Sequence, residues 1–142
     1  MKGEIAKDNF LKGLNCAQAV VLAFKDELDL PEETIKKLSI GFGGGLARQR
    51  LTCGAVSGMS LVLGAIRTDG KDKTSAYALI RSACDEFKAE TGSLICAEML
   101  SGEILKDKSA VPEERTPEYY EKRPCADLCA LAAEIVEKYI KR

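Results

Sequence analysis

Apolar residues recur along the chain at intervals of three and four, and no stretch of useful length alternates as a half-buried strand would. The pattern predicts an all-α protein, a single-domain helical bundle over residues 1–142 with about five to seven helices. Its most apolar stretch, Thr52 to Ile66, lies between Arg50 and Arg67. That stretch is too apolar for a surface helix, and at about 16 residues it is shorter than the ~20 a membrane span needs. We therefore expect a buried central helix at about 52–67, with Thr52 as N-cap and Cys53 at the first helical position. Gly54 and Gly58, four apart, leave a side-chain-free strip suited to close approach of another helix, either within the chain or in a homodimer.

The remaining elements are read around this helix. Residues 4–13 suit a short helix with Ala6, Phe10 and Leu14 at spacing four, broken near Gly13. Asn15 and Gln18 form a capping-box pattern that opens a second helix at Cys16, with Ala17, Val20, Val21, Phe24 and Leu28 on its buried face. Pro31, Glu32 and Glu33 open a third, with Ile35 and Leu38 as its apolar side. A long amphipathic helix from about Lys73 to Thr91 carries Tyr77, Ile80, Cys84 and Phe87 as a stripe. Ser93 caps a short helix reaching Leu100, with Cys96 in its first turn. Residues 101–124, charged and containing three prolines, read as a surface loop with one helical turn near Glu118 to Glu121. Pro124 opens the last helix, which faces Leu128, Ala132, Ile135, Val136 and Tyr139 to the core and holds Cys125 in its first turn.

Charge changes the picture mainly by exclusion. With 21 basic and 22 acidic residues interspersed, neither nucleic acid nor an anionic membrane is an implied partner. The N-terminal MKGEIAKDNFLKG has charges where a signal peptide needs its apolar centre, and no segment reaches spanning length, so a cytoplasmic protein is expected. The chain has no histidine. That removes Ser-His and Cys-His dyads, mixed zinc sites and histidine-ligated haem, and leaves cysteine, carboxylate, lysine or tyrosine for any chemistry. The glycine-rich GFGGGLARQR lacks the Lys-Ser/Thr of a phosphate-binding loop and the strand-to-helix setting of a dinucleotide fingerprint. Close backbone packing is the expected role of its glycines.

Six cysteines remain, and in the cytoplasm ligand, redox and core roles are expected ahead of structural disulfides. Cys16, Cys53, Cys96 and Cys125 each fall in the first turn of a different expected helix. Exposed N–H groups and the positive end of the helix dipole favour a thiolate there, and one end of a bundle can gather four such turns. The dipole is worth only ~0.3–1 kcal/mol at an exposed terminus, less than one pKa unit, and grouped thiolates repel each other. A convergent set therefore needs a compensating cation, such as a metal or an iron–sulfur cluster, or it persists partly as thiols and disulfides. Arg48, Arg50 and Arg123 are the nearest candidate cations in sequence. Cys84, in mid-helix, reads as a core residue. Cys129 shares a helical face with Cys125 but also continues the apolar stripe. The spacing contains no Cys-x-x-Cys pair, so a four-cysteine site would have to be assembled by the fold.

Together Asn15-Cys16-Ala17-Gln18-Ala19-Val20, Gly43-Gly44-Gly45, Thr52-Cys53-Gly54-Ala55-Val56-Ser57-Gly58, Cys96 followed by Leu100, and Cys125 leading to Ala132-Ala133-Glu134 resemble the C-GCAxxG-C-C family of small helical proteins. The resemblance covers nearly the whole chain and implies redox activity, with the four family cysteines at Cys16, Cys53, Cys96 and Cys125. A similar domain in haem- and iron–sulfur-containing split-Soret cytochromes points toward a cluster, although this chain lacks the histidines and Cys-x-x-Cys-His motif for their haem. Three functions compete. In the first, Cys16, Cys53, Cys96 and Cys125 hold a redox metal centre, an iron–sulfur cluster, that transfers electrons to a partner protein. In the second, metal-free thiol–disulfide exchange, Cys53 attacks and Cys16 or Cys125 resolves. In the third, the four cysteines bind a structural zinc ion in an interaction domain.

Overall fold

The computed structural model describes residues 1–141, which form helices and turns with no strand; their sole β-type pairing is an isolated antiparallel bridge between Thr52 and Ile95. Ten right-handed α-helices and one 3-10 turn (Ile40–Phe42) appear among the described residues, the α-helices being α1 (Lys2–Leu11), α2 (Cys16–Leu22), α3 (Lys25–Leu28), α4 (Glu32–Ser39), α5 (Gly54–Arg67), α6 (Lys73–Thr91), α7 (Cys96–Met99), α8 (Gly102–Leu105), α9 (Pro117–Glu121) and α10 (Cys125–Lys141). The count exceeds the five to seven expected because surface segments coil into single turns and because the second helix breaks. Its chain bends at Ala23 and Phe24, where the Lys2 ammonium takes up the Ala23 carbonyl at 3.0 Å and lies over the Phe24 ring.

The central helix α5 is buried as expected, through Ala55, Val56, Met59, Val62 and Leu63. α2 packs on one side of it and α10 on another, while α1 lies along α10 and α2. The contact with α2 depends on the glycine strip. A Cβ at Gly58 would stand 3.0 Å from the Ala17 carbonyl and 3.1 Å from the Val20 Cβ, and one at Gly54 would stand 3.1 Å from the Cys16 Cβ. The strip is thus filled from within the chain and is not a face open to a second copy.

Three expectations are corrected. Thr52 pairs with Ile95 instead of capping α5, so Cys53 itself is the N-cap and the helix starts at Gly54. Leu38 and Tyr77 point to solvent, because α4 buries only Ile35 and Ser39 and α6 only Ala83 and Phe87. α7 starts at Cys96, with Ser93 before it donating to Glu98 at 2.7 Å and accepting from the Ile95 N–H. No helix of the described residues is long and apolar enough to cross a membrane.

Filling the strip should loosen the whole bundle. Gly58→Val is expected to cost roughly 1–3 kcal/mol of unfolding free energy as an overpacked contact. Urea denaturation followed by far-UV circular dichroism measures it, and an unchanged midpoint would contradict the packing described.

Candidate functional site

Four short pieces of local structure bring the cysteines together. Cys16 opens α2 behind a complete capping box, in which the Asn15 side chain accepts from the Gln18 N–H at 2.9 Å and Gln18 accepts from the Asn15 N–H at 3.1 Å. Cys53 and Cys96 are pinned side by side by backbone pairing: Cys53 N–H donates to the Leu94 carbonyl at 2.8 Å, and Cys96 N–H to the Leu51 carbonyl at 2.6 Å. Cys125 opens α10, whose Leu128 N–H donates to the Pro124 carbonyl. All four line a single cavity of about 60 Å³, together with Arg50, Arg115, Arg123 and a wall of Phe10, Met99, Leu100, Tyr119 and Leu128.

The two other cysteines lie outside this lining. Cys129 is buried behind it, its thiol 3.8 Å from the Cys16 carbonyl. Cys84 is half-buried on α6, against a separate surface groove with Ile80, Leu94 and Leu61.

Burial controls the ionisation of the chamber. It pushes the Cys53 thiol up to about 12, against the pull of the Ala55 and Val56 N–H groups that point at its sulfur. The Cys96 thiol is likewise raised by burial, only partly offset by Arg50, whose Nη1 donates to its sulfur at 3.8 Å. Cys16 and Cys125 line the same cavity, and each affects the ionisation of the other. That interaction, followed by burial, raises Cys125; it draws Cys16 down, but contact with Cys129 and burial outweigh it and hold Cys16 well above the usual thiol range. At neutral pH the chamber therefore holds protonated thiols, and neither helix termini nor arginines suffice to ionise them.

The arginines reach the chamber by two unexpected routes. After Gly43 the backbone turns left-handed: Gly44, Gly45, Leu46, Ala47, Arg48 and Arg50 all have positive φ. At Gly45 (φ 72°) a Cβ would lie 2.5 Å from the Leu51 nitrogen, so glycine is required there. The four non-glycine residues each carry a strain of roughly 1–2 kcal/mol. Bonds from Ala47 to Gly41, Arg50 to Gly44 and Leu51 to Gly45, at 2.8, 3.1 and 2.9 Å, hold the turn in place.

The second route is the segment 101–124, which is largely exposed and carries the expected helical turn at Pro117–Glu121, but which also turns Arg115, Tyr119 and Arg123 toward the cavity. Arg115 donates to the Phe10 and Leu14 carbonyls at 3.1 and 2.9 Å and lies over Phe10 and Tyr119, while Arg123 lies 3.9 Å from the Tyr119 ring centre. Sequence reasoning missed Arg115 and Tyr119. Their signal was the spacing Arg115, Tyr119, Arg123, four apart, around a Pro117 helix start.

In kind and number the four thiols match the all-cysteine ligand set of an iron–sulfur cluster. They surround a cavity, the same four thiols would equally make an all-cysteine zinc set, and among the described residues no three thiol or acidic groups are arranged to hold a metal ion as they stand.

A model of the C-GCAxxG-C-C family, described as "Putative redox-active protein", matches residues 14–139, and the chain belongs to this family. The match spans all four chamber cysteines. No curated protein and no solved structure matches the chain significantly.

Because the raised thiols keep protons that an unfolded chain releases above pH ~8.5, stability should fall progressively from there toward about 12 in the apo, reduced protein. Alkylation of Cys53 should keep accelerating through pH 10. A plateau between pH 8 and 9 in a cysteine-by-cysteine mass-spectrometric assay would contradict the burial effect.

Proposed function

We propose that the protein is an electron-transfer protein whose four-cysteine chamber holds an iron–sulfur cluster through Cys16, Cys53, Cys96 and Cys125. The observation that carries this reading is that four thiols from segments distant in sequence line one small cavity. When bound, such a cluster supplies one-electron chemistry and draws the protons from its thiols outright, which accounts for gathering groups that resist ionisation alone. The chain's part is electrostatic and steric. Ala55 and Val56 direct N–H groups at the Cys53 sulfur, and Arg50 donates to the Cys96 sulfur, so negative charge on the thiolates is offset and the potential raised. Phe10, Tyr119, Met99 and Leu128 give the cavity an apolar wall. A partner protein is the electron donor or acceptor implied.

Protein purified without oxygen should show broad visible absorption with stoichiometric iron, both lost in Cys53→Ala and both kept in Cys84→Ala. Colourless, iron-free protein with the chamber thiols intact would overturn the assignment.

A second reading is supported by the placement of Cys16 and Cys125 on one cavity, where each thiol affects the ionisation of the other. These two thiols would form a disulfide, releasing two electrons and two protons to an oxidised partner. Cys53, raised to about 12, suits the role of nucleophile less well than the sequence suggested. In metal-free protein titrated with glutathione buffers, this reading predicts a reversible loss of two hydrogens that maps to Cys16 and Cys125. Absence of any reversible oxidation would count against it.

A further inference from the structure

Beside the cysteine chamber lies a second cavity of about 260 Å³ that shares Asn15, Gly44, Arg50, Arg115, Tyr119 and Arg123 with it and adds Arg48 and Glu113. Four guanidinium groups thus border this space, and Glu113 is its one carboxylate. That carboxylate is already divided: Oε1 of Glu113 accepts from Arg123 at 2.8 Å and from Arg48 at 3.3 Å. Asp107 adds a longer contact to Arg48 at 3.5 Å. Four positive charges against two negative leave a surplus of two.

This surplus is not a solvated surface patch. The Arg123 side chain is 5% exposed and that of Arg48 11%. Nη1 of Arg48 and Nε of Arg50 are buried without any hydrogen-bond acceptor. Buried donors normally find partners, and guanidinium forks match the paired oxygens of phosphate or carboxylate. The backbone that presents Arg48 and Arg50 is held left-handed against its own preference, as occurs where a fold positions groups for a ligand.

We propose that this cavity binds a small doubly charged oxyanion, a phosphoryl or dicarboxylate compound, at the entrance to the thiols. The charge follows from the surplus of two. The size follows from a volume just below the ~300 Å³ at which pockets for larger ligands begin. The surplus is that of the cluster-free chain, because the thiolates of a bound cluster would draw on the shared Arg50, Arg115 and Arg123.

Calorimetric titration of the whole chain with inorganic phosphate and with succinate, against sodium chloride at equal ionic strength, tests it. One saturable site is expected for at least one of the two dianions. Preference for phosphate assigns a phosphoryl ligand, and preference for succinate a dicarboxylate. Arg48→Gln should weaken binding about tenfold, as for loss of a charged hydrogen bond. Glu113→Gln, which releases Arg48 and Arg123 from their shared carboxylate, should tighten it, and this variant decides the matter if Arg48→Gln does not fold. Compared in cluster-free protein, Cys53→Ala should bind the dianion as the unaltered chain does, so failure of the redox centre and failure of this site are separable. No saturable binding beyond chloride, or weaker binding in Glu113→Gln, would overturn the proposal.

Discussion

The approach of α2 to the central helix, across Gly54 and Gly58, is the contact on which the chamber depends. It sets the Cys16 Cβ 3.1 Å from where a Gly54 side chain would begin, one residue along from Cys53. Any larger residue on the strip would separate the two helix starts and open the cavity between them. The backbone pairing of 50–53 with 94–97 then adds Cys96, and α10, packed against the same central helix, adds Cys125. The site is a by-product of core packing in the sense that the contacts which exclude water from the bundle also fix the distances among its thiols.

Burial has opposing consequences at that site. It stabilises the fold by removing apolar surface from water, yet it raises the thiols far beyond their usual range, so the grouped cysteines are poor nucleophiles alone. Helix-start N–H groups and arginines reduce that penalty without cancelling it. The balance suits chemistry in which charge arrives with its own compensation, whether from a metal centre or by proton-coupled oxidation of a pair. The arginines themselves exceed what the protonated cysteines use, which is why a second, oxyanion-binding role attaches to the outer cavity.

Much of this was legible in sequence where the cause was local. The capping box at Asn15 and Gln18 placed Cys16, the Gly54 and Gly58 spacing announced a close helix contact, and the apolar stretch from Thr52 to Ile66 announced a buried helix. What could not be read depended on tertiary pairing. Thr52 has the chemistry of an N-cap but is taken by its bridge to Ile95, which passes the cap to Cys53. The left-handed path through Leu46, Ala47 and Arg48 contradicts their intrinsic preference and is held by backbone bonds within 41–51, a segment that the pairing of 50–53 with 94–97 then anchors. Charged, proline-containing 101–124 has the composition of a solvated loop, and only its aromatic and arginine stacking on Phe10 turns it into a wall of the site.

The most direct test of a single four-thiol centre is to replace each of the six cysteines by alanine in turn and measure iron and reversible redox amplitude per folded chain. The account predicts loss of both in the Cys16, Cys53, Cys96 and Cys125 variants, with both retained in the Cys84 and Cys129 variants. Full retention in any of the first four, or loss in the Cys84 variant, would contradict it.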